Sequence, residues 1–79
     1  MQKNVIVYGT ATCPYCSRVK EFLKGNNIQF EDIDVGSDPG KGREMVEKSG
    51  QMGVPVIDID GEIIVGFDRE KIGRALGIS

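Results

Sequence analysis

The chain has 79 residues, ten of them basic and twelve acidic, so its formal net charge is −2. A chain of this length predicts one domain, residues 1–79, that buries about 60% of its unfolded surface. It has no basic block that would favour nucleic acid or an anionic membrane. It also lacks an apolar stretch near the roughly 18 residues of a membrane-spanning helix, and its first residues lack a signal-peptide core. We therefore expect a folded, monomeric, cytoplasmic protein that binds neither nucleic acid nor membrane.

The first predicted elements are a strand and a helix joined by a short loop. Lys3 to Tyr8 is rich in β-branched residues, which predicts a buried strand. Gly9 to Thr12 forms the loop, and a helix follows from Pro14 to about Lys24, with Thr12 or Cys13 as its N-cap. Proline suits the first helical position, because its missing N–H would have no partner there. Gly25 is expected to follow the helix as its C′ residue.

A second strand and a second helix are predicted next. The strand runs from about Ile28 to Ile33, and its alternating pattern slips at Asp32, which indicates a bulge or the end of the strand. The strand, helix and strand fit a right-handed parallel crossover. Residues 34–42 are rich in Gly, Asp, Ser and Pro, which is typical of a loop. Within this segment Asp38 is the predicted N-cap of a second helix. That helix begins at Pro39 and ends near Ser49.

The last third of the chain predicts a hairpin followed by a helix. After a flexible connection over residues 50–53, strands at 56–59 and 62–65 flank Asp60-Gly61, a dipeptide typical of a type I′ turn. Asp68 caps the final helix, and Gly77 ends it. The order β-α-β-α-β-β-α predicts a mixed sheet covered by helices, and the pattern alone leaves several topologies open.

Both cysteines of the chain, Cys13 and Cys16, lie two residues apart at the first junction between strand and helix. The partial positive charge of the helix N-terminus favours a Cys13 thiolate, which would titrate below the usual value of about 8.5. Cys16 shares a helix face with Val19 and Leu23, so we expect it to be buried and closer to an ordinary thiol. Cys13 would then attack a disulfide sulfur, and Cys16 would resolve the mixed disulfide.

Two other interpretations of the cysteine pair are weaker. The chain has no histidine and no third cysteine, so only a zinc site shared between chains would remain. A purely structural disulfide across so small a loop would remove little entropy from the unfolded chain. Redox chemistry therefore fits the pair best.

Three motifs, in the same order, resemble the glutaredoxin family over nearly the whole chain. Cys13-Pro14-Tyr15-Cys16 is identical to the active-site tetrapeptide of dithiol glutaredoxins, and Val54-Pro55 resembles the end of their Thr-Val-Pro loop. Gly66-Phe67-Asp68 resembles their C-terminal glycine and acidic cluster, and is also similar to redoxins that serve ribonucleotide reductase. The resemblance implies an α/β thioredoxin-like fold with strand order 2-1-3-4, the first and third helices on one sheet face and the second helix on the other.

The resemblance also implies a glutathione site. Val54 would pair its backbone with the cysteinyl part of glutathione, next to a Pro55 that is cis in glutaredoxins. From the sequence alone, an ordinary trans proline that opens a strand is expected, because only about 5–6% of such bonds are cis. Gly66, Phe67 and Asp68 would hold the γ-glutamyl end at the start of the last helix. The simpler interpretation is that Gly66 permits a turn and Asp68 is an N-cap.

The chain departs from the family pattern around the glycine carboxylate of glutathione. Many glutaredoxins have Lys or Arg three residues before the first cysteine and a basic or glutamine side chain in the second helix, whereas this chain has Thr10 and Gly42. Arg43 and Gln51 are nearby substitutes, and Val65 replaces a glycine before Gly66-Phe67. Loss of one exposed charge contact costs on the order of 1 kcal/mol, so we expect weaker glutathione recognition.

The sequence thus predicts a glutaredoxin-type thiol–disulfide oxidoreductase that reduces protein disulfides and glutathione mixed disulfides, with glutathione as co-substrate and no metal. Tyr15 would flank the site or fill a surface groove, and Arg18 would help to lower the pKa of Cys13 or attract acidic partners. A redoxin recycled by thioredoxin reductase is one alternative. A non-enzymatic carrier, in which two chains bridge an iron–sulfur cluster through Cys13 and glutathione, is another; Pro14 and Cys16 favour turnover, because cluster carriers more often have Cys-Gly-Phe-Ser.

Overall fold

The structure is a computed structural model that describes residues 3–78. Its strands and helices follow one another in the order predicted from the sequence. The elements are β1 Val5–Gly9, α1 Pro14–Gly25, β2 Glu31–Asp34, α2 Pro39–Ser49, β3 Val56–Ile59, β4 Glu62–Val65 and α3 Arg69–Leu76. No helix in this described part has the length and apolar character needed to cross a membrane.

The four strands form one mixed sheet in the order β2-β1-β3-β4, which confirms the expected topology. β1 is parallel to β2, with Tyr8 opposite Ile33, and antiparallel to β3, with Tyr8 opposite Val56. β3 and β4 form the predicted hairpin. Its two turn residues, Asp60 and Gly61, have φ values of 51° and 93°, as a type I′ turn requires.

Each sheet face has its own hydrophobic core, because successive strand residues point to opposite faces. Val5 and Val7 of β1 face α1 and α3, in a core that also contains Val19, Leu23, Ile57, Ile59, Ile64, Ile72 and Ala75. Tyr8 faces α2, in a second core with Ile33, Met45 and Val56. The expected placement of the three helices is therefore confirmed.

Several predicted boundaries differ from the structure. Strand β1 begins at Val5 rather than Lys3. Helix α1 includes Gly25, and the left-handed residue that follows is Asn27, with φ 58°, so the prediction of Gly25 as the C′ residue was wrong. The Ile28 N–H donates to the Leu23 carbonyl at 2.9 Å, and this bond keeps Ile28 in the helix-ending turn.

Strand β2 is shorter than predicted at its beginning and longer at its end. It starts at Glu31 and continues through Asp32, which lies opposite Val7 in unbroken register, to Asp34. The slip in the pattern therefore marks neither a bulge nor an end. It reflects an edge strand on which only Ile33 is buried. Helix α2 begins at Pro39, as predicted, and includes both of its early glycines.

A polar network connects α2 to the sheet. Lys48 Nζ donates to the Tyr8 hydroxyl and to Asp58 Oδ2, each at 2.7 Å, and the Tyr8 hydroxyl donates to the Glu44 carboxylate. Asp58 is only 8% exposed, and its other oxygen accepts the Gly61 N–H at 2.7 Å. The hydrogen bond to Asp58 raises the pKa of Lys48, and burial raises the pKa of Tyr8.

Candidate active site

Cys13 is the N-cap residue of α1. Its backbone is extended, with φ −87° and ψ 116°, and Pro14 occupies the first helical position. The Cys13 sulfur accepts a hydrogen bond from the Cys16 N–H at 3.4 Å, while the Cys13 N–H donates to the Thr10 carbonyl at 3.4 Å. Of the two capping candidates predicted from the sequence, Cys13 is therefore the one that caps.

The surroundings of Cys13 lower its pKa. Burial alone would raise the pKa of Cys13, but hydrogen bonds from the Cys16 thiol and from the backbone N–H groups of Cys16 and Tyr15 outweigh burial. These donors stabilise the thiolate, because a charged acceptor gains more from each hydrogen bond than a neutral one. The direction agrees with the expectation for a thiol at a helix N-terminus.

Cys16 lies one turn further along α1 and is 1% exposed, in line with the buried Val19 and Leu23. Burial, followed by the hydrogen bond to Cys13, raises the pKa of Cys16 to about 11; the Thr10 backbone hydrogen bond and the Lys20 charge act in the opposite direction. From the sequence we expected Cys16 to be close to an ordinary thiol. In the structure its pKa lies well above that of an ordinary thiol, because the sulfur is desolvated.

The residues before β3 come next to Cys13. The Val54-Pro55 peptide bond is cis, and the Val54 carbonyl oxygen lies 4.0 Å from the Cys13 sulfur. Among residues 3–78, the Val54 N–H and carbonyl groups form no hydrogen bond with another backbone group. Pro55 is buried, and its carbonyl accepts the Gly66 N–H at 2.8 Å, which joins this segment to the end of β4.

Gln51 shapes the turn that leads into Val54. Its side-chain amide donates to the Gly53 carbonyl at 2.9 Å and accepts the Gly53 N–H at 2.8 Å. The amide is thus occupied by the loop, and Gln51 is not the substitute for a glutathione contact that the sequence suggested. A glutamine two residues before a glycine is the only signal in the sequence for this role.

The segment that precedes α3 lies beside the same loop. Gly66 has φ 83°, a conformation that favours glycine. The Phe67 ring meets the Phe22 ring edge to face at 6.3 Å, and Asp68 caps α3 by accepting the Lys71 N–H at 3.1 Å. The simpler interpretation of Asp68 as an N-cap is confirmed, and the N–H groups of Arg69 and Glu70 remain at the helix end.

Tyr15, Thr10 and Arg43 lie at the edges of the site. Tyr15 is 55% exposed and has the Arg18 guanidinium 5.3 Å from its ring centroid. Thr10 lines a small cleft beside β2, and Arg43 lines an apolar groove between α2 and Met52. Within residues 3–78, the side chains of Thr10 and Arg43 form no hydrogen bond or ion pair with Cys13.

A family comparison decides what kind of site this is. The family model described as Glutaredoxin matches residues 5–64. This chain belongs to the glutaredoxin family. Members of the family are thiol–disulfide oxidoreductases, and so is this glutaredoxin. Within residues 3–78, His, Cys, Asp and Glu side chains do not gather in threes that would hold a metal ion.

Similar proteins agree with the family assignment. A glutaredoxin-like 8.6 kDa protein in the rubredoxin operon of Clostridium pasteurianum is 49% identical over 70 residues, which cover 89% of this chain and 93% of that protein. Glutaredoxin 3 of Escherichia coli K12 is 38% identical, over 82% and 78% of the two chains. The crystal structure of a glutaredoxin from Archaeoglobus fulgidus superposes with a TM-score of 0.86 and 29% identity, over 92% and 85% of the chains.

Proposed function

We propose that this glutaredoxin reduces protein disulfides and glutathione mixed disulfides with glutathione as its electron donor, Cys13 being the nucleophile and Cys16 the resolving thiol. The observation that carries the proposal is the opposite perturbation of two neighbouring sulfurs. Hydrogen bonds lower the pKa of the partly exposed Cys13, whereas burial raises the pKa of Cys16. The accessible sulfur is therefore the one that ionises first.

The reaction divides into two exchanges. The Cys13 thiolate attacks one sulfur of the substrate disulfide, the substrate S–S bond breaks, and the leaving thiolate takes a proton from solvent. The Cys16 thiol then loses its proton and attacks Cys13, so that a Cys13–Cys16 disulfide forms and the second substrate thiol leaves. Two glutathione molecules reduce this disulfide to the dithiol and become glutathione disulfide.

The same two sulfurs explain how Cys16 is activated at the right step. The Cys13 thiolate is one of the groups that raise the pKa of Cys16 in the reduced protein. Once Cys13 is bonded to substrate it carries no charge, so this repulsion disappears. The Lys20 charge and the Thr10 backbone N–H continue to favour the Cys16 thiolate. Cys16 is thus easier to ionise in the mixed disulfide than in the free enzyme.

The backbone around Cys13 suits a short peptide such as glutathione. The open N–H and carbonyl groups of Val54 can pair with the cysteinyl residue, beside the buried Pro55. Gly66, Phe67 and Asp68 precede the α3 N-terminus, where the remaining N–H groups can bind the γ-glutamyl carboxylate. Tyr15 stands exposed beside the nucleophile and can cover the bound peptide.

The region that would bind the glycine carboxylate of glutathione lacks contacts that many glutaredoxins have, and this favours a second candidate for the electron source. Thr10 provides no positive charge, Gly42 provides no side chain, and the Gln51 amide is held by Gly53. Arg43 lies in the groove beside α2 and forms no ion pair among the described residues, so it is a cation available for that carboxylate. These losses favour, as the alternative, a redoxin that is recycled by thioredoxin reductase.

A coupled assay tests the function and separates the two electron sources. NADPH is supplied either with glutathione and glutathione reductase or with thioredoxin reductase, and its oxidation is followed with a protein disulfide or a glutathione mixed disulfide as substrate. We expect Cys13→Ser to lose both activities. Cys16→Ser is expected to lose protein disulfide reduction and to retain removal of glutathione. Full activity of Cys13→Ser would reject the proposed roles, and activity only with thioredoxin reductase would reject glutathione as donor.

A further inference from the structure

Gly9 lies directly against the side chain of the buried cysteine. A Cβ atom added to Gly9 would lie 2.7 Å from Cys16 Sγ and 3.0 Å from Cys16 Cβ. Both distances are well inside the 3.5–4.0 Å at which non-bonded carbon atoms attract each other. Any side chain at position 9 therefore requires something in this contact to move.

Neither backbone in the contact is free to withdraw. Gly9 pairs with Asp34 in the parallel register of β1 and β2, and its carbonyl accepts the Val35 N–H at 2.9 Å. On the other side, α1 is held in the core by the fully buried Val19 and Leu23. A side chain at position 9 would thus displace the Cys16 sulfur rather than the strand or the helix.

The present position of that sulfur places it where it acts with two groups. Hydrogen bonding from the Cys16 thiol lowers the pKa of Cys13, and hydrogen bonding from the Thr10 backbone acts to lower the pKa of Cys16. Thr10 directly follows Gly9, so the end of strand β1 provides the space for the sulfur and the residue after the strand provides one of its donors. Moving the sulfur away from Gly9 weakens both contacts together.

We infer that Gly9 is a positioning residue for the resolving step: its missing side chain is the space that holds the Cys16 sulfur between Thr10 and Cys13. This inference rests on the proposed roles of the two cysteines. In that step the Cys16 sulfur bonds to Cys13, the bond between Cys13 and the substrate breaks, and the Cys16 proton passes through solvent to the leaving thiolate.

Gly9→Ala tests the inference, with Gly25→Ala as its control. A Cβ on Gly25 has no heavy atom within 4 Å, so that variant changes a glycine at the far end of α1 without a clash. We expect Gly9→Ala to raise the pKa of Cys13 by about half to one unit, because a weak thiol donor is lost. Reduction of a protein disulfide should slow several-fold even at a pH where Cys13 is ionised. Gly25→Ala should leave both quantities unchanged.

A double-mutant cycle shows whether Gly9 acts through the sulfur. The Cys13 pKa is measured by thiolate absorbance in Cys16→Ala and in Gly9→Ala/Cys16→Ala. If the inference is right, Gly9→Ala shifts this pKa in the parent and not in the protein that lacks the Cys16 sulfur. Equal shifts in both backgrounds, or no shift in the parent, would overturn it.

Two further readouts keep the inference separate from folding and from the proposed function. If Gly9→Ala fails to fold, recovery of folding in Gly9→Ala/Cys16→Ala supports the sulfur contact, and failure of both variants contradicts it. If Cys13→Ser loses activity as proposed while Gly9→Ala behaves as the parent, only the role of Gly9 fails. If Cys13→Ser remains active, the proposed function fails first.

Discussion

The Cys13 sulfur lies 4.0 Å from the Val54 carbonyl oxygen, although 41 positions separate the two residues in the chain. The sheet register explains this proximity: Tyr8, just before the first loop, lies opposite Val56, just after Pro55. The helix N-terminus that stabilises a thiolate and the backbone that can pair with a peptide are therefore brought to the same place.

The first prediction concerns the order in which the two thiols ionise. When only a small fraction of the reduced protein is alkylated, we expect iodoacetamide to modify Cys13 with a pH midpoint below that of a free thiol, while Cys16 stays unreactive until its pKa of about 11 is approached. Peptide mapping of the alkylated protein at each pH provides the measurement. Cys16→Ala should raise the Cys13 midpoint, because it removes one of the donors to the thiolate. Equal reactivity of both sulfurs, or earlier reaction of Cys16, would contradict this.

The second prediction concerns stability at alkaline pH. Burial raises the folded-state pKa of Cys16 from 9.0 to about 11, so its contribution is complete below pH 9 and is lost as the pH rises through 11. Two pKa units correspond to about 2–3 kcal/mol in the free energy of unfolding. Urea unfolding of the reduced protein at pH 8 and pH 11 measures the loss. Cys16→Ala should lose less over this range, and Tyr8, whose pKa is also raised, titrates in both proteins and cancels in the comparison.

The third prediction separates a buried ion pair from an exposed one. Lys48→Met leaves the nearly buried Asp58 carboxylate without its cation, and we expect a loss of about 2–3 kcal/mol in the free energy of unfolding. The matched control is Arg74→Ala, which breaks a 2.7 Å pair with Glu70 whose side chains are 72% and 80% exposed. That change should cost less than about 0.5 kcal/mol. Similar losses in the two variants, measured by urea unfolding, would show that burial of Asp58 has no effect.

The fourth prediction distinguishes the capping role of Asp68 from a role in glutathione binding. Asp68 and Asp38 cap α3 and α2 with the same geometry, each accepting an N–H three residues later at 3.1 Å. Asp68→Ala and Asp38→Ala should therefore both cost about 1 kcal/mol of stability. Only Asp68→Ala should raise the KM for glutathione, since α3 begins beside Gly66 and Pro55. If Asp68→Ala and Asp38→Ala have the same KM for glutathione, Asp68 caps α3 and has no role in glutathione binding.

The fifth prediction restores a contact that the chain lacks. Thr10→Lys, alone and together with Gly42→Gln, introduces the side chains that many glutaredoxins have at these positions. A Cβ on Gly42 would make only ordinary contacts with Val35, at 3.7 and 3.8 Å, so the substitution is sterically permitted. Each contact should stabilise bound glutathione by about 1 kcal/mol, roughly five-fold in affinity.

The kinetic KM for glutathione in the coupled assay measures this gain. The matched control is Lys24→Gln/Thr10→Lys, which adds the charge at Thr10 while keeping the net charge of the chain constant. It should show the same gain as Thr10→Lys alone. A gain that disappears in the control would mean that overall charge, rather than a local contact, controls the KM.

Local chemistry made much of this protein predictable. Cys13 next to Pro14 specifies a helix start with a sulfur at its N-terminus, Asp38 and Asp68 specify two further helix starts, and Asp60-Gly61 specifies a hairpin. Each of these signals acts within a few residues, through backbone conformation and the unpaired N–H groups at helix ends. The motif resemblance then correctly indicated the strand order and the sheet face of each helix.

The boundaries of β2 and the role of Gln51 could not be predicted from the sequence. They depend on neighbours that are distant in sequence or on the conformation of one loop. Ile28 pairs with the end of α1 rather than with β1. Asp32 lies in an edge strand that pairs with β1 on one side only. The alternation of apolar residues in the sequence does not show which backbone groups a residue pairs with.

The sequence by itself determined where the two sulfurs lie and which one is at a helix N-terminus, because those properties are set within one turn of the chain. Only the tertiary structure decided how far the pKa of Cys16 departs from that of an ordinary thiol. The pKa of Cys16 is raised by burial, and its sulfur fits against Gly9 because β1 and α1 pack closely there. Desolvation and close packing depend on residues from several elements at once, so they arise only when the sheet and helices have assembled.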